Sequence, residues 1–108
     1  MTSYSLYLAG QWRQPGPPID VLNPATGEVV GQVATVDRAA VAEALGAADE
    51  AFAAWRQLPA KQRGDYLTAV ADSLQGRADE MARVITLENG KPLLQSKGEV
   101  AMAIGAVT

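Results

Sequence analysis

The sequence has no cysteine and no histidine among its 108 residues. The absence of cysteine excludes disulfide bonds and leaves the chain without a thiol nucleophile. Histidine is the most frequent general base and a frequent metal ligand, so its absence argues against a serine-based triad and a zinc site in this chain. The serines Ser3, Ser5, Ser73 and Ser96 are therefore predicted to be exposed hydroxyls.

Basic clusters and long apolar runs are also missing. Acidic residues outnumber basic ones, 12 to 9, and no stretch concentrates lysine and arginine, so neither nucleic acid nor an anionic membrane is an expected partner. No apolar stretch reaches the length of a membrane span, and Met1–Gly10 lacks the pattern of a secretory signal. With 48% hydrophobic and 19% charged residues, the composition predicts a soluble, cytoplasmic, globular protein.

The first third of the chain has the pattern of β-strands. Tyr4, Leu6 and Leu8 alternate with polar or exposed positions, as on a half-buried strand. Ala9-Gly10 can turn the chain so that 11–13 pairs back, although Asn or Asp before the glycine would be a stronger turn signal. A loop rich in proline and glycine follows.

A second hairpin is predicted over Asp20–Val36. The apolar run Ile19–Leu22 leads into the turn Asn23–Gly27, where proline restricts φ and glycine permits a positive φ. The β-branched stretch Glu28–Val36 is the returning strand, with Gly31 as a candidate bulge.

From Asp37 onward the apolar period becomes helical. Asp37 can cap the first helix, whose apolar stripe comprises Val41, Leu45, Ala48, Phe52 and Trp55. A second helix is predicted from about Ala60 to Gln75, with Leu67, Val70, Ala71 and Leu74 on its inner face and a left-handed Gly76 closing it.

A third helix is predicted over 78–89, with Met81, Val84 and Ile85 inward and Gly90 and Pro92 ending it. A fourth begins near Leu93 and shows no stop signal before the last residue. The pattern therefore favours a natural chain that continues beyond residue 108.

Nucleotide-binding motifs fail on inspection. Gly90-Lys91 is similar to the end of a phosphate loop, but Ile85 stands where that loop needs its first glycine, and Pro92 stands where it needs Ser or Thr. No G-x-G-x-x-G fingerprint is present. The adjacent carboxylates Asp49-Glu50 and Asp79-Glu80 have the pattern of solvated helix faces.

Glu88 is the exceptional acidic residue, because helical spacing aligns it with the inward positions Met81 and Ile85. A carboxylate on an apolar face needs a partner, such as a helix N–H, a lysine or a cation. The favoured interpretation is a hydrogen bond that orients the Asn89-Gly90 turn, and ion binding is the alternative.

Several stretches of the chain, in order, resemble the aldehyde dehydrogenase superfamily. Leu6–Trp12 and Val21–Gly31 are similar to its opening hairpins, and Ala51–Arg56 to the end of its first helix. Leu87–Leu93 (LENGKPL) is similar to its Glu-Asn-Gly-Lys-Pro signature, and Gly98–Val100 continues the match. The resemblance covers nearly the whole chain, and the combination of the two turn motifs is specific.

The resemblance implies an α/β fold. N-terminal β-hairpins (1–36) precede about four helices (37–108), and together they form the outer part of an aldehyde-dehydrogenase-type cofactor-binding domain. In the family this part packs against a parallel sheet built later in the chain. Residues 1–108 are thus expected to be the N-terminal partial segment of a larger oxidoreductase.

The activity that the resemblance implies is oxidation of an aldehyde to a carboxylic acid with NAD or NADP. In the family a cysteine thiolate attacks the aldehyde, hydride passes to the nicotinamide, and a glutamate-activated water releases the acid. These residues and the cofactor loop lie downstream of this segment in the family. No catalytic or cofactor-binding residue is therefore assigned, the chain alone is expected to be inactive and without cofactor, and the overall pattern favours a semialdehyde or general aliphatic substrate.

Some family members hold a monovalent cation between backbone carbonyls before the Asn-Pro turn and the acidic residue before Asn-Gly-Lys-Pro. The resemblance places that site at Val21, Leu22 and Glu88.

Two alternatives to the enzyme segment remain. The chain could be a non-catalytic helical module that binds a partner or the full-length enzyme through its exposed stripe, or a plain structural domain. The expected partners are the remainder of the enzyme or a second copy of the chain, because the stripe ending in Trp55 lacks full cover and predicts marginal stability.

Overall fold

The computed structural model describes residues 2–108, so Met1 lies outside it. The described chain contains five short strands followed by four helices, which confirms the predicted α/β order. The strands are β1 (Thr2–Tyr4), β2 (Leu6–Leu8), β3 (Gln11–Arg13), β4 (Ile19–Leu22) and β5 (Val29–Val33), and the helices are α1 (Arg38–Trp55), α2 (Ala60–Gly76), α3 (Ala78–Asn89) and α4 (Leu93–Val107).

The elements divide into two compact units. The first comprises the chain up to Leu22 together with Gly27–Gln57, and therefore holds the strands and α1. The second comprises Leu58–Thr108 together with the short segment Asn23–Thr26, so the turn of the second hairpin groups with the last three helices.

The N-terminal stretch forms two strands in two different sheets. β1 pairs in parallel with β5, with Tyr4 opposite Val33, whereas β2 pairs antiparallel with β3, with Leu8 opposite Gln11. The expected alternation holds in β2, where Leu6 and Leu8 are half-buried and Tyr7 is exposed.

The turn between β2 and β3 is a two-residue loop with positive φ at both central residues. Ala9 has φ 50° and Gly10 has φ 81°, the combination of a type I′ turn, which matches the twist of the flanking strands. Across the hairpin, the rings of Tyr7 and Trp12 lie 5.1 Å apart. The predicted turn is confirmed, and Ala9 is the one non-glycine residue with positive φ in the described chain.

Replacing Ala9 with asparagine is expected to stabilise the chain by about 0.5–1 kcal/mol, because Asn tolerates the left-handed region better than Ala. Urea unfolding followed by circular dichroism measures the change. Ala9→Val is the matched control and should destabilise, since a β-branched side chain disfavours positive φ. Stabilisation by valine would contradict this account of the turn.

β4 and β5 form the second predicted hairpin. They pair antiparallel, with Ile19 opposite Val33 and Val21 opposite Gly31. The register then shifts, because Leu22 lies opposite Val29 and Val30 is left as the extra residue of a bulge. The bulge lies next to Gly31, where the sequence predicts one.

α1 begins as predicted. The Asp37 carboxylate accepts a hydrogen bond from the Ala40 N–H at 2.7 Å and caps the helix. Arg13 of β3 forms an ion pair with Glu43 of α1 at 2.6 Å. The large residues of the apolar stripe are exposed, with Leu45 at 67% and Phe52 at 56%.

The end of α2 differs from the prediction. Gly76 is the last residue of the helix and does not have a positive φ, so the left-handed cap predicted there is wrong. The reason is that Arg77 closes the helix: its N–H donates to Leu74 O at 3.1 Å, and α3 starts one residue later. The Arg77 guanidinium also donates two hydrogen bonds to Glu80, and these bonds, with the charge of Arg77, lower the pKa of that carboxyl.

α4 lies against both α2 and α3, and small side chains occupy the centre of this packing. Ala82 is fully buried, and Ala71 and Val100 are 5% and 3% exposed. Small residues allow helix axes to approach closely. On α2 the prediction of an inner face holds for Ala71, but Leu67 and Val70 are exposed.

No helix within residues 2–108 is both long enough and apolar enough to cross a membrane.

Candidate functional site

The first signature turn is held by its own asparagine. The Asn23 side-chain oxygen accepts a hydrogen bond from the Ala25 N–H at 2.9 Å, and its carbonyl accepts one from the Thr26 N–H at 3.3 Å. This is an Asx-turn, in which the side chain mimics a backbone turn. Pro24 restricts φ between them, so the turn is ordered by local chemistry, as the sequence predicts.

The second signature turn connects α3 to α4. α3 ends at Asn89, and Gly90 has φ 84° and donates its N–H to Thr86 O at 2.9 Å. Pro92 starts α4, and its carbonyl accepts hydrogen bonds from the N–H groups of Gln95 and Ser96. The predicted left-handed glycine at the end of α3 is confirmed.

The two signature turns touch each other. A Cβ built on Gly90 would lie 2.9 Å from Pro24 Cγ, closer than two carbons can approach without displacement. Both residues belong to the second compact unit. We call this contact the turn junction, defined by Asn23–Thr26 and Asn89–Pro92.

A buried hydroxyl pair lies beneath the turn junction. Ser96 of α4 is fully buried, and its oxygen lies 2.8 Å from the Thr86 hydroxyl oxygen on α3, as a hydrogen-bonded pair. The prediction that Ser96 is an exposed hydroxyl is therefore wrong, because the turn at Gly90 folds α4 back along α3. The sequence carried one signal for this: Ser96 and Val100 are four residues apart and share a helix face.

Two ion pairs join α4 to the segments before it. Lys91, in the second signature turn, is paired with Glu99 of α4, and Lys97 lies 3.2 Å from Asp79 at the start of α3. Both pairs are partly exposed, so each contributes little to stability on its own. They define which faces of α3 and α4 meet.

The residues predicted to bind a monovalent cation have individual positions in the structure. Val21 is half-buried in β4, Leu22 is exposed at the end of the same strand, and Glu88 is exposed in the last turn of α3. Val21 and Leu22 belong to the first compact unit and Glu88 to the second. The expected inward orientation of Glu88 is not found, because the faces of α3 that meet α4 carry Ala82 and Thr86 instead.

Clusters of metal-binding side chains are not found in residues 2–108: no group of three or more acidic, histidine or cysteine side chains is placed to hold an ion. The polar groups of the turn junction are used to hold two turns and two helices together. Its arrangement is that of a structural joint.

Comparison with known proteins places most of the chain in one family. Residues 12–108 match the model of the aldehyde dehydrogenase family. A glutarate-semialdehyde dehydrogenase of Pseudomonas aeruginosa is 43% identical over 99 residues, which are 90% of this chain and 20% of that protein.

Solved structures give the same result. The crystal structure of succinate-semialdehyde dehydrogenase from Burkholderia pseudomallei superimposes with a TM-score of 0.89 at 37% identity, over 94% of this chain and 21% of that one. Betaine aldehyde dehydrogenase from Staphylococcus aureus, solved with NAD+, superimposes with a TM-score of 0.89 at 28% identity, also over 94% and 21%. The chain thus spans about a fifth of the relatives that it matches.

Proposed function

Because this chain belongs to the aldehyde dehydrogenase family, we propose that residues 1–108 are the N-terminal segment of an NAD- or NADP-dependent enzyme that oxidises an aldehyde to a carboxylic acid. The observation that carries the proposal is the superposition of 94% of the chain on one fifth of a solved member. The hairpins (1–36) and the helices (37–108) together form this segment, and we place the enzyme in the cytoplasm.

The segment contributes structure to the enzyme. The sequence contains no cysteine to attack an aldehyde and no glycine-rich dinucleotide fingerprint, so no residue of this chain is assigned to the reaction or to the coenzyme. The groups that it does present are the turn junction and the apolar stripe of α1, which are suited to packing. The remainder of the enzyme is the proposed partner of that stripe.

The proposed substrate class is a semialdehyde, in which the reacting aldehyde is linked to a carboxylate. Similar proteins at 43% and 37% identity are a glutarate-semialdehyde and a succinate-semialdehyde dehydrogenase. This segment is assigned no role in recognising the carboxylate, so the proposal concerns the parent enzyme.

The proposal is tested by a chimera. Residues 12–108 replace the matching segment of the Burkholderia pseudomallei succinate-semialdehyde dehydrogenase, and oxidation of succinate semialdehyde is followed by the absorbance of the reduced coenzyme. The chimera should fold and retain turnover within about tenfold of the parent, a change of about 1.4 kcal/mol in activation free energy. The chain alone should show no turnover with either coenzyme.

Two controls make the chimera decisive. A chimera carrying Gly90→Val should lose soluble, active enzyme, whereas one carrying Gly27→Ala should keep most of it, because space is free around Gly27. A soluble chimera without activity, or turnover by the isolated chain, would contradict the proposed role.

We further propose that Val21 and Leu22 carbonyls and the Glu88 carboxylate contribute to a monovalent cation site. Na+ or K+ should stabilise the chain by about 0.4 kcal/mol when its concentration equals the dissociation constant. The thermal midpoint is measured against tetramethylammonium at the same ionic strength, and Glu88→Gln should abolish the difference. An unchanged midpoint in both cations and in both proteins would eliminate the site.

A second candidate function is an interaction module that binds a partner or the full-length enzyme. The exposure of Val41, Leu45 and Phe52 on one face of α1 favours it. The chimera distinguishes the two candidates, because a module that only binds other proteins does not restore turnover when it replaces part of an enzyme.

A further inference from the structure

The chain has two asparagines, and the residues that follow them give them opposite chemical reactivity. Asn23 precedes Pro24 and Asn89 precedes Gly90. An asparagine loses ammonia when the backbone nitrogen of the next residue attacks its side-chain carbonyl carbon. Proline has no N–H to lose and cannot react in this way, whereas glycine has an N–H and no side chain to obstruct the attack.

The reaction at Asn89 balances with water alone. The Gly90 nitrogen loses its proton and bonds to the Asn89 side-chain carbon, the C–N bond of the amide breaks, and ammonia leaves from a five-membered succinimide. Water then opens the ring at either carbonyl. One opening leaves aspartate, and the other leaves isoaspartate, in which the main chain runs through the former side chain and is one atom longer.

The folded structure opposes the attack. The Gly90 N–H donates to Thr86 O at 2.9 Å, so the attacking nitrogen is already engaged as a donor. Asn89 is the last residue of α3, and Gly90 is held against Pro24. Both Asn89 and Gly90 are exposed to water. The attack therefore requires the final turn of α3 to open, which helix ends do readily.

We propose that Asn89-Gly90 is a site of spontaneous deamidation that α3 protects and that becomes reactive when its last turn opens. The product would disrupt the turn junction. Aspartate places a negative charge beside Glu88 at a helix C-terminus, where the helix dipole disfavours it. Isoaspartate lengthens the main chain ahead of Gly90 and displaces it from Pro24. The inference is independent of the enzymatic role proposed above.

The test ages the 108-residue chain in mildly alkaline buffer, with and without urea, and follows each asparagine by peptide mapping and mass spectrometry. In urea, Asn89 should convert to aspartate and isoaspartate while Asn23 stays intact. Without urea, conversion at Asn89 should be at least several-fold slower. Circular dichroism checks that the sample without urea is helical, and an osmolyte such as trimethylamine oxide is added if it is not.

Two variants complete the test. Asn89→Gln should resist conversion under both conditions, and aged wild-type chain should have a lower thermal midpoint than aged Asn89→Gln. Absence of conversion at Asn89 in urea would overturn the site. Equal rates in a helical and in an unfolded sample would overturn the protection by α3, and an unchanged midpoint after conversion would overturn the effect on the turn junction.

Discussion

Replacing Gly90 with alanine is expected to lower the free energy of unfolding by about 2–4 kcal/mol, because a left-handed conformation and an overpacked contact both become unfavourable. Gly90 has φ 84°, and an added Cβ would lie 2.9 Å from Pro24 Cγ. Urea unfolding of the chain measures the loss. If the starting stability is below this value, the cooperative transition should disappear.

Gly27 supplies the matched control for this prediction. It has φ 74°, but no atom lies within 4 Å of an added Cβ, so Gly27→Ala should cost only the conformational part, about 1–2 kcal/mol. Pro24→Ala combined with Gly90→Ala should recover part of the loss at Gly90. Equal losses at Gly27 and Gly90, with no recovery, would show that the turn junction adds nothing to stability.

Replacing Thr86 with valine is expected to destabilise the chain by about 1–3 kcal/mol, because a buried hydroxyl is left without its partner. Ser96 is fully buried and is hydrogen-bonded to Thr86. The carbonyl one turn earlier on α4, that of Pro92, already accepts two backbone N–H groups, so it is a poor substitute. Loss of helical signal in urea measures the change.

A double-mutant cycle separates this cost from the change in shape. Ser96→Ala together with Thr86→Val removes both hydroxyls and should be more stable than Thr86→Val alone, since no buried polar group remains unsatisfied. Ser73→Ala on the exposed surface of α2 serves as the control and should change stability by less than about 0.5 kcal/mol. A double mutant no more stable than Thr86→Val would refute the pairing.

Predictions that depended on neighbours in sequence were confirmed. The Asx-turn at Asn23, the cap at Asp37 and the left-handed Gly90 each follow from a side chain or φ preference that acts within a few residues. The bounds of the four helices followed from the same kind of signal. These features were readable because their energetics are local.

Predictions that depended on distant partners were less accurate. Gly76 was expected to close α2, but the close succession of α2 and α3 gives that role to Arg77. Ser96 was expected to be exposed and is fully buried, and Glu88 was expected to be inward and is exposed. In each case the packing of another helix sets the outcome, and helical spacing does not identify that helix.

The N-terminal strands give the same lesson. The alternation of Leu6 and Leu8 predicts a strand, but nothing in it shows that Tyr4 pairs with a different sheet through Val33. A parallel partner almost thirty residues away in sequence carries no local signal, because its cost is the entropy of closing a long loop.

From the residues alone came the order of the elements, their approximate limits, the family and the lack of a thiol nucleophile, since each rests on composition or on short-range preferences. Three-dimensional packing was needed to bring Pro24 against Gly90 and Thr86 against Ser96. Those contacts join positions far apart in the chain, and van der Waals contact and hydrogen bonding act only over a few ångströms in space.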